Sequence, residues 1–278
     1  MISQYNHLTL KTNKMKTLKI FAILTLSMLT ATLQAQEKEK PLSPKGTQVI
    51  AHRGHWDVDG SAQNSRRSLQ LALDMDIYGS EIDIWLTRDG HLFVNHDASY
   101  DGVTLQDATA DECRALILKN GEHMPELKDM LALLKKSTTS TKLIIEIKEC
   151  RTLQQNLESA RQIVKAVRKA GMQKKVEYIS FSLAVCVEIA RLDPTARVAF
   201  LSGWITPKEL HKLGITGLDY HLFVFQEHPE WVKEAHELGM YTNVWTIDSD
   251  ERFREFRDMG IDYITTNNPE GAVNVVSQ

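Results

Sequence analysis

A (β/α)8 barrel of the TIM type is the fold this sequence predicts, and three observations predict it. Eight short β-rich runs recur along residues 47–278, helix-length amphipathic segments separate most of them, and no break in composition divides the stretch. A doubly wound open sheet shares the alternation and is the alternative. The runs cover residues 47–52, 81–86, 143–148, 177–182, 197–202, 217–221, 242–247 and 263–266. Between them apolar residues fall at helical spacing: in residues 153–169, Leu157, Ala160, Ile163, Val164 and Val167 share one face. Similar patterns cover residues 183–192, 207–213, 229–238 and 252–259. Pro207 and Pro229 stand where helices should begin, and Gly171, Gly239 and Gly260 where they should turn back. Residues 87–141 alone break the rhythm. They form a short insertion between the second and third strands, expected to hold an extra strand at 91–96 and helices around 111–118 and 126–135.

The chain ahead of the barrel has a different character. Lys16 and Lys19, the apolar run of residues 20–29 and the sequence Leu33-Gln34-Ala35 have the layout of a secretory signal cleaved after Ala35. Residues 1–35 are therefore expected to be removed and the protein exported, to the periplasm or beyond. The apolar run is shorter than the roughly 20 residues that span a bilayer, which predicts no integral membrane segment in the mature chain. Residues 36–46 read as a polar, proline-containing linker. A net charge of −3, with no basic block, argues against nucleic acid as a partner. Cys113, Cys150 and Cys186 are odd in number and lack a Cys-x-x-Cys pair, so they are expected to be free and packed.

Chemistry enters at "SEIDIWLT", residues 80–87. Side chains two apart on a strand point the same way, so Ile82 and Ile84 form an apolar face while Glu81 and Asp83 project together from the other. In a barrel of this type the active site lies at the C-terminal ends of the strands. "VIAHRG" brings His52 and Arg53 to that rim, and "LIIEIK" brings Glu146 and Lys148. Three carboxylates on adjacent strands repel unless a cation holds them, and all-oxygen ligation favours Mg²⁺ or Ca²⁺ over zinc. Arg53 and Lys148 beside that cation would neutralise a phosphate.

The ordered set "HRG", "EID", "TRDGHLFVNHD", "EIK" resembles the glycerophosphodiester phosphodiesterase family. The resemblance extends to "MPELKDML", "ISFS", "NVWTID" and "GIDYITTNNP", in family order over nearly the whole mature chain. It implies that Glu81, Asp83 and Glu146 bind the divalent cation, Mg²⁺ or Ca²⁺, and that His52 and His96 act as general acid and base. It further implies that Arg53 and Lys148 bind the phosphate, and that Trp245 lines the pocket for the glycerol end of a small glycerophosphodiester substrate. The expected reaction is hydrolysis to glycerol 3-phosphate and an alcohol. One position departs from the pattern: where the family has Pro-Glu-Asn, this chain has Ala62-Gln63-Asn64. Gln63 brings a neutral carbonyl oxygen in place of a charge. A phospholipase D-like or phosphoinositide-cleaving barrel and a non-catalytic phosphodiester-binding protein are the competing readings. The first would call for a long apolar loop, which is absent from the sequence, and the second is suggested by Gln63 alone.

Overall fold

The computed structural model describes residues 46–277. The signal segment, and all but the last residue of the linker, lie outside the described residues. Eight parallel strands close on themselves, which excludes the open sheet. They are β1 (Gln48–Ala51), β2 (Gly79–Leu86), β6 (Lys142–Ile147), β7 (Val176–Ser180), β8 (Val198–Phe200), β9 (Gly217–His221), β10 (Tyr241–Trp245) and β11 (Tyr263–Thr266). Closure is explicit: β1 pairs with both β2 and β11.

The pleat sorts each strand into two cores. Val49, Ala51, Ile82, Ile84, Leu143, Ile145 and Ile147 face outward onto the helices, while Ile50, Ile144, Ile179, Tyr241 and Tyr263 fill the barrel. The outer layer explains the helical spacing. Across Leu153–Ala170 the buried residues are Asn156, Ser159, Ala160, Ile163, Val164 and Val167, a 3–4 repeat that lays one stripe on the sheet. Thr152 caps that helix by accepting from Gln155 N–H, and Gly171 ends it in left-handed backbone. Gly239 and Gly260 have the same left-handed backbone after Glu230–Glu237 and Asp250–Met259. Helices at Arg66–Asp74, Leu222–Glu227 and Pro269–Val276 add to those read from the sequence.

Deep in the barrel a polar plug fills the space that aliphatics leave. Arg197 lies just before β8 and turns inward, its Nε 3.1 Å from Glu177 Oε1 and its guanidinium 4.1 Å from the Tyr241 ring centre. Tyr78 donates to Glu177 at 2.5 Å, and Arg197 donates to Tyr263 at 3.1 Å.

The insertion is smaller in regular structure than expected. Its strand β3 (Leu92–Val94) runs antiparallel to β2 and is shorter than the 91–96 read from sequence. A hairpin, β4 (Ser99–Tyr100) and β5 (Val103–Thr104), was not anticipated. The helix expected at 111–118 is Ala110–Arg114 only. Beyond it Leu116, Ile117 and Leu118 are 7%, 48% and 5% exposed, a period of two rather than 3.6, and Ile117 bridges to His123. Leu116 and Leu118 instead join Trp85, Phe93, Leu105, Cys113 and Met124 in a second small core. Leu127–Lys136 matches the remaining helix. All three cysteines are buried and free, as expected. No helix among the described residues is long and apolar enough to cross a membrane.

Candidate active site

Parallel register places Asp83 of β2 opposite Glu146 of β6, and Glu81 shares Asp83's face. The three residues are 3% (Glu81), 1% (Asp83) and 8% (Glu146) exposed, and each offers an oxygen within 4.8 Å of the others. Lys148 Nζ stands 2.8 Å from both Asp83 Oδ1 and Glu146 Oε1. Asn64 grips Asp83 twice: its Nδ2 donates to Oδ2 at 2.8 Å, and its Oδ1 accepts from the Asp83 backbone N–H at 3.1 Å. Glu81 Oε2 accepts from the Arg53 backbone N–H at 2.8 Å, while Oε1 is buried with no hydrogen-bond partner.

Burial, and then the charges of Asp83 and Glu146, push the Glu81 carboxyl well above the usual carboxylate range. Burial and then Asp83 raise Glu146 as well. Burial acts on Asp83 in the same sense, but the Lys148 ammonium and the bond from Asn64 outweigh it and hold that carboxyl low. Ionising all three at once would put more negative charge in the cluster than its surroundings neutralise, and one oxygen is orphaned and all donors are hard. Those features fit a divalent cation held by Glu81, Asp83 and Glu146.

A sharp bend after β1 delivers the next two residues. Arg53 has φ of 58° and Gly54 of 79°, and a Cβ on Gly54 would sit 2.4 Å from Ser68 Oγ and 2.7 Å from its carbonyl carbon. Only glycine makes that turn. Arg53 Nη1 donates to Gln63 Oε1 at 2.7 Å, and its Nε lies 3.9 Å from Asp83 Oδ2. The neutral oxygen that Gln63 brings in place of a charge is therefore directed at Arg53.

His52 sits at the same bend, with Nδ1 2.8 Å from Asn267 Oδ1. Burial, then the Arg53 charge, lowers its pKa to about 4, so the ring is neutral at pH 7. His96 arrives from the insertion. Asn95 N–H donates to Asp83 O at 3.1 Å, Trp85 Nε1 donates to His96 O at 3.3 Å, and His96 Nδ1 lies 2.7 Å from Asp97 Oδ1. The second core therefore has a positional consequence: it carries His96 over the barrel mouth.

A cavity of about 120 Å³ brings together His52, Arg53, Glu81, His96, Glu146 and Trp245, with Asp83 and Lys148 joined to them through the contacts above. Trp245 forms one wall, donating from Nε1 to Asp219 O at 2.9 Å and meeting Phe181 edge-on at 5.7 Å. A larger cavity of about 460 Å³ lies between residues 56–64 and 95–100 and shares His96 with the first. All eight residues singled out in the sequence thus converge on one place. Asn64, Phe181 and Asp219 were not singled out. Asp219 did leave a signal, an acid inside the apolar run "GLDYH"; burial raises its pKa to about 7 against the bond it accepts from Asn243.

The chain is similar to known proteins over most of its length. The glycerophosphoryl diester phosphodiesterase family model matches residues 52–271. A glycerophosphodiester phosphodiesterase from Caldanaerobacter subterraneus is 28% identical over 244 residues, 83% of this chain and 98% of that protein. A crystal structure of a glycerophosphodiester phosphodiesterase from Parabacteroides distasonis superposes with a TM-score of 0.82 at 45% identity, covering 84% of this chain and 97% of that one. An Oleispira antarctica phosphodiesterase, solved with the product sn-glycerol-3-phosphate, shares the fold at a TM-score of 0.73 and 21% identity, covering 84% of this chain and 98% of that one.

Proposed function

Because this chain belongs to the glycerophosphoryl diester phosphodiesterase family and is a phosphoric diester hydrolase, we propose that it cleaves glycerophosphodiesters to glycerol 3-phosphate and an alcohol with the help of a divalent cation and two histidines. The observation that carries the reading is the charge balance of the buried cluster. Fully ionised, as a bound cation would hold them, Glu81, Asp83 and Glu146 against Arg53 and Lys148 would leave one negative charge. A divalent cation would turn that into one positive charge, which a singly charged phosphodiester would cancel. Mg²⁺ and Ca²⁺ both suit the all-oxygen donor set. When bound, the cation would supply Lewis-acid polarisation of the phosphoryl group.

The chain's own residues do the rest. Arg53 and Lys148 hold the phosphate oxygens against the carboxylates behind them. His52, neutral and with Nδ1 occupied by Asn267, presents Nε2 to take a proton from the attacking water, or from the glycerol 2-hydroxyl where ring closure precedes hydrolysis. A bond forms from that oxygen to phosphorus, and the bond to the departing alcohol breaks. His96, set between the two cavities and held by Asp97, delivers a proton to the leaving oxygen. The glycerol end packs against Trp245 and Phe181, and the leaving alcohol occupies the larger cavity. Export, suggested by the signal-like residues 1–35, would place this reaction outside the cytoplasm.

The test is a panel of deacylated phospholipids assayed for glycerol 3-phosphate. His52→Ala and His96→Ala should each lower kcat by about 10²-fold or more while leaving metal binding intact. Near wild-type turnover in either variant removes that histidine from the mechanism.

A further inference from the structure

We propose that Asn267 is a positioning residue that locks His52 in the tautomer with hydrogen on Nδ1, and that Asp248 sets the amide orientation that makes this possible. The inference rests on the reading of His52 as the base. An asparagine amide has one accepting and one donating end that look alike in shape, so its partners decide which end faces which group. Here they agree. Asp248 Oδ2, which can only accept, lies 2.8 Å from Asn267 Nδ2. Trp56 Nε1, which can only donate, lies 3.2 Å from Asn267 Oδ1. Both turn the amide oxygen toward His52, 2.8 Å away, so Nδ1 must carry a hydrogen and the lone pair of a neutral ring is left on Nε2.

The carboxylate that sets this orientation is itself tied down. Asp248 Oδ1 accepts from the Asn267 backbone N–H at 2.7 Å and from Thr266 Oγ1 at 3.1 Å. The charged and titratable groups acting on His52 are Arg53, Asp83 and His96, and none of them occupies Nδ1. The site therefore gives its two histidines different partners: a neutral amide oxygen for His52 and the Asp97 carboxylate for His96. An amide fixes a tautomer without adding a negative charge beside the ring, which suits a base that must start neutral.

Two measurements test this. In metal-free protein with ¹⁵N-labelled histidine, His52 is identified by the signal lost in His52→Gln. At pH 7 its Nδ1 should show the protonated-type shift and Nε2 the unprotonated type. Asn267→Leu should populate the opposite tautomer and lower kcat by about 10–100-fold, the range for losing the hydrogen-bond partner that orients a metal-ligating histidine and taken here for the same orienting role, with KM changed less than about threefold. The more exposed Asp248→Ala should give a smaller loss in the same sense. Combining Asp248→Asn with Asn267→Asp restores the donor-to-acceptor order. It should recover the tautomer and move the acid limb of kcat/KM to higher pH, because a carboxylate now faces His52. A wild-type His52 protonated on Nε2, or an Asn267→Leu protein with unchanged tautomer and kcat within twofold, overturns the proposal. The spectrum needs neither metal nor substrate. The expected tautomer in a protein that hydrolyses no glycerophosphodiester would therefore support the clamp while refuting the proposed reaction.

Discussion

Replacing Lys148 with methionine should make the fold depend on a divalent cation. Lys148 Nζ sits 2.8 Å from an oxygen of Asp83 and 2.8 Å from one of Glu146, and the residue is 8% exposed. Methionine keeps an unbranched stem and removes the charge. Removing one partner of a buried ion pair costs about 3–5 kcal/mol because the other is left uncompensated. Glu146, whose carboxyl burial and Asp83 already push upward, can take up a proton and hold the loss near the lower end. For a domain of this size about 3 kcal/mol corresponds to a fall in Tm of roughly 6–12 °C. A cation at 100 times its Kd returns about 2.7 kcal/mol to a folded state that alone binds it. It should return more to the variant than to the wild type, because it meets a carboxylate cluster stripped of its ammonium. Thermal unfolding of both proteins in chelator, then in Mg²⁺ or Ca²⁺, reads these terms without reference to activity. A variant within about 2 °C of wild type in chelator, or one that gains no more from the cation than wild type does, refutes the charge accounting of the site.

Three further outcomes follow from the same geometry. Gln63→Glu should turn a neutral acceptor on Arg53 Nη1 into an ionic one, worth about 1 kcal/mol more to that bond. KM should then rise about fivefold with kcat changed less than twofold, and unchanged KM would mean that Arg53 does not hold the phosphate. His52 has a folded pKa of about 4 against 6.5 for the free side chain, so the unfolded chain takes the proton first. Stability is thus fully present above pH 6.5 and lost as pH falls toward 4, by at most about 3 kcal/mol. Denaturant unfolding of metal-free His52→Gln should lack that part of the wild-type pH dependence, and coincident profiles would contradict the assignment. In the barrel plug, Glu177→Ala leaves the partly buried Arg197 without its carboxylate, and urea unfolding should show a loss of about 2–3 kcal/mol, below the range for a fully buried pair. A loss under 1 kcal/mol would mean that the tyrosines alone satisfy Arg197.

Much of this was legible in the chain because periodicity reports which way a side chain faces. The i, i+2 spacing of Glu81 and Asp83 put both inside the barrel, and the 3–4 spacing from Leu157 to Val167 found the helix that covers it. Periodicity does not report partners. Asn267 meets His52 across 215 positions of sequence only because β1 and β11 close the barrel. Gln63 was visible as a departure from the family pattern, but its contact with Arg53 depends on the left-handed turn at residues 53–54. The insertion misled for a related reason. Leu116 and Leu118 fit a helical reading, yet they alternate about Ile117 to fill a core to which β2 contributes Trp85 and β3 contributes Phe93.

The most direct test of the whole account is turnover of a glycerophosphodiester, followed as release of glycerol 3-phosphate, by the purified protein in excess chelator and after adding back Mg²⁺ or Ca²⁺. A site built on Glu81, Asp83 and Glu146 predicts that activity disappears in chelator and returns with at least one of the two ions, but not in Asp83→Asn. Full turnover in excess chelator, or undiminished ion-dependent turnover in Asp83→Asn, would contradict it.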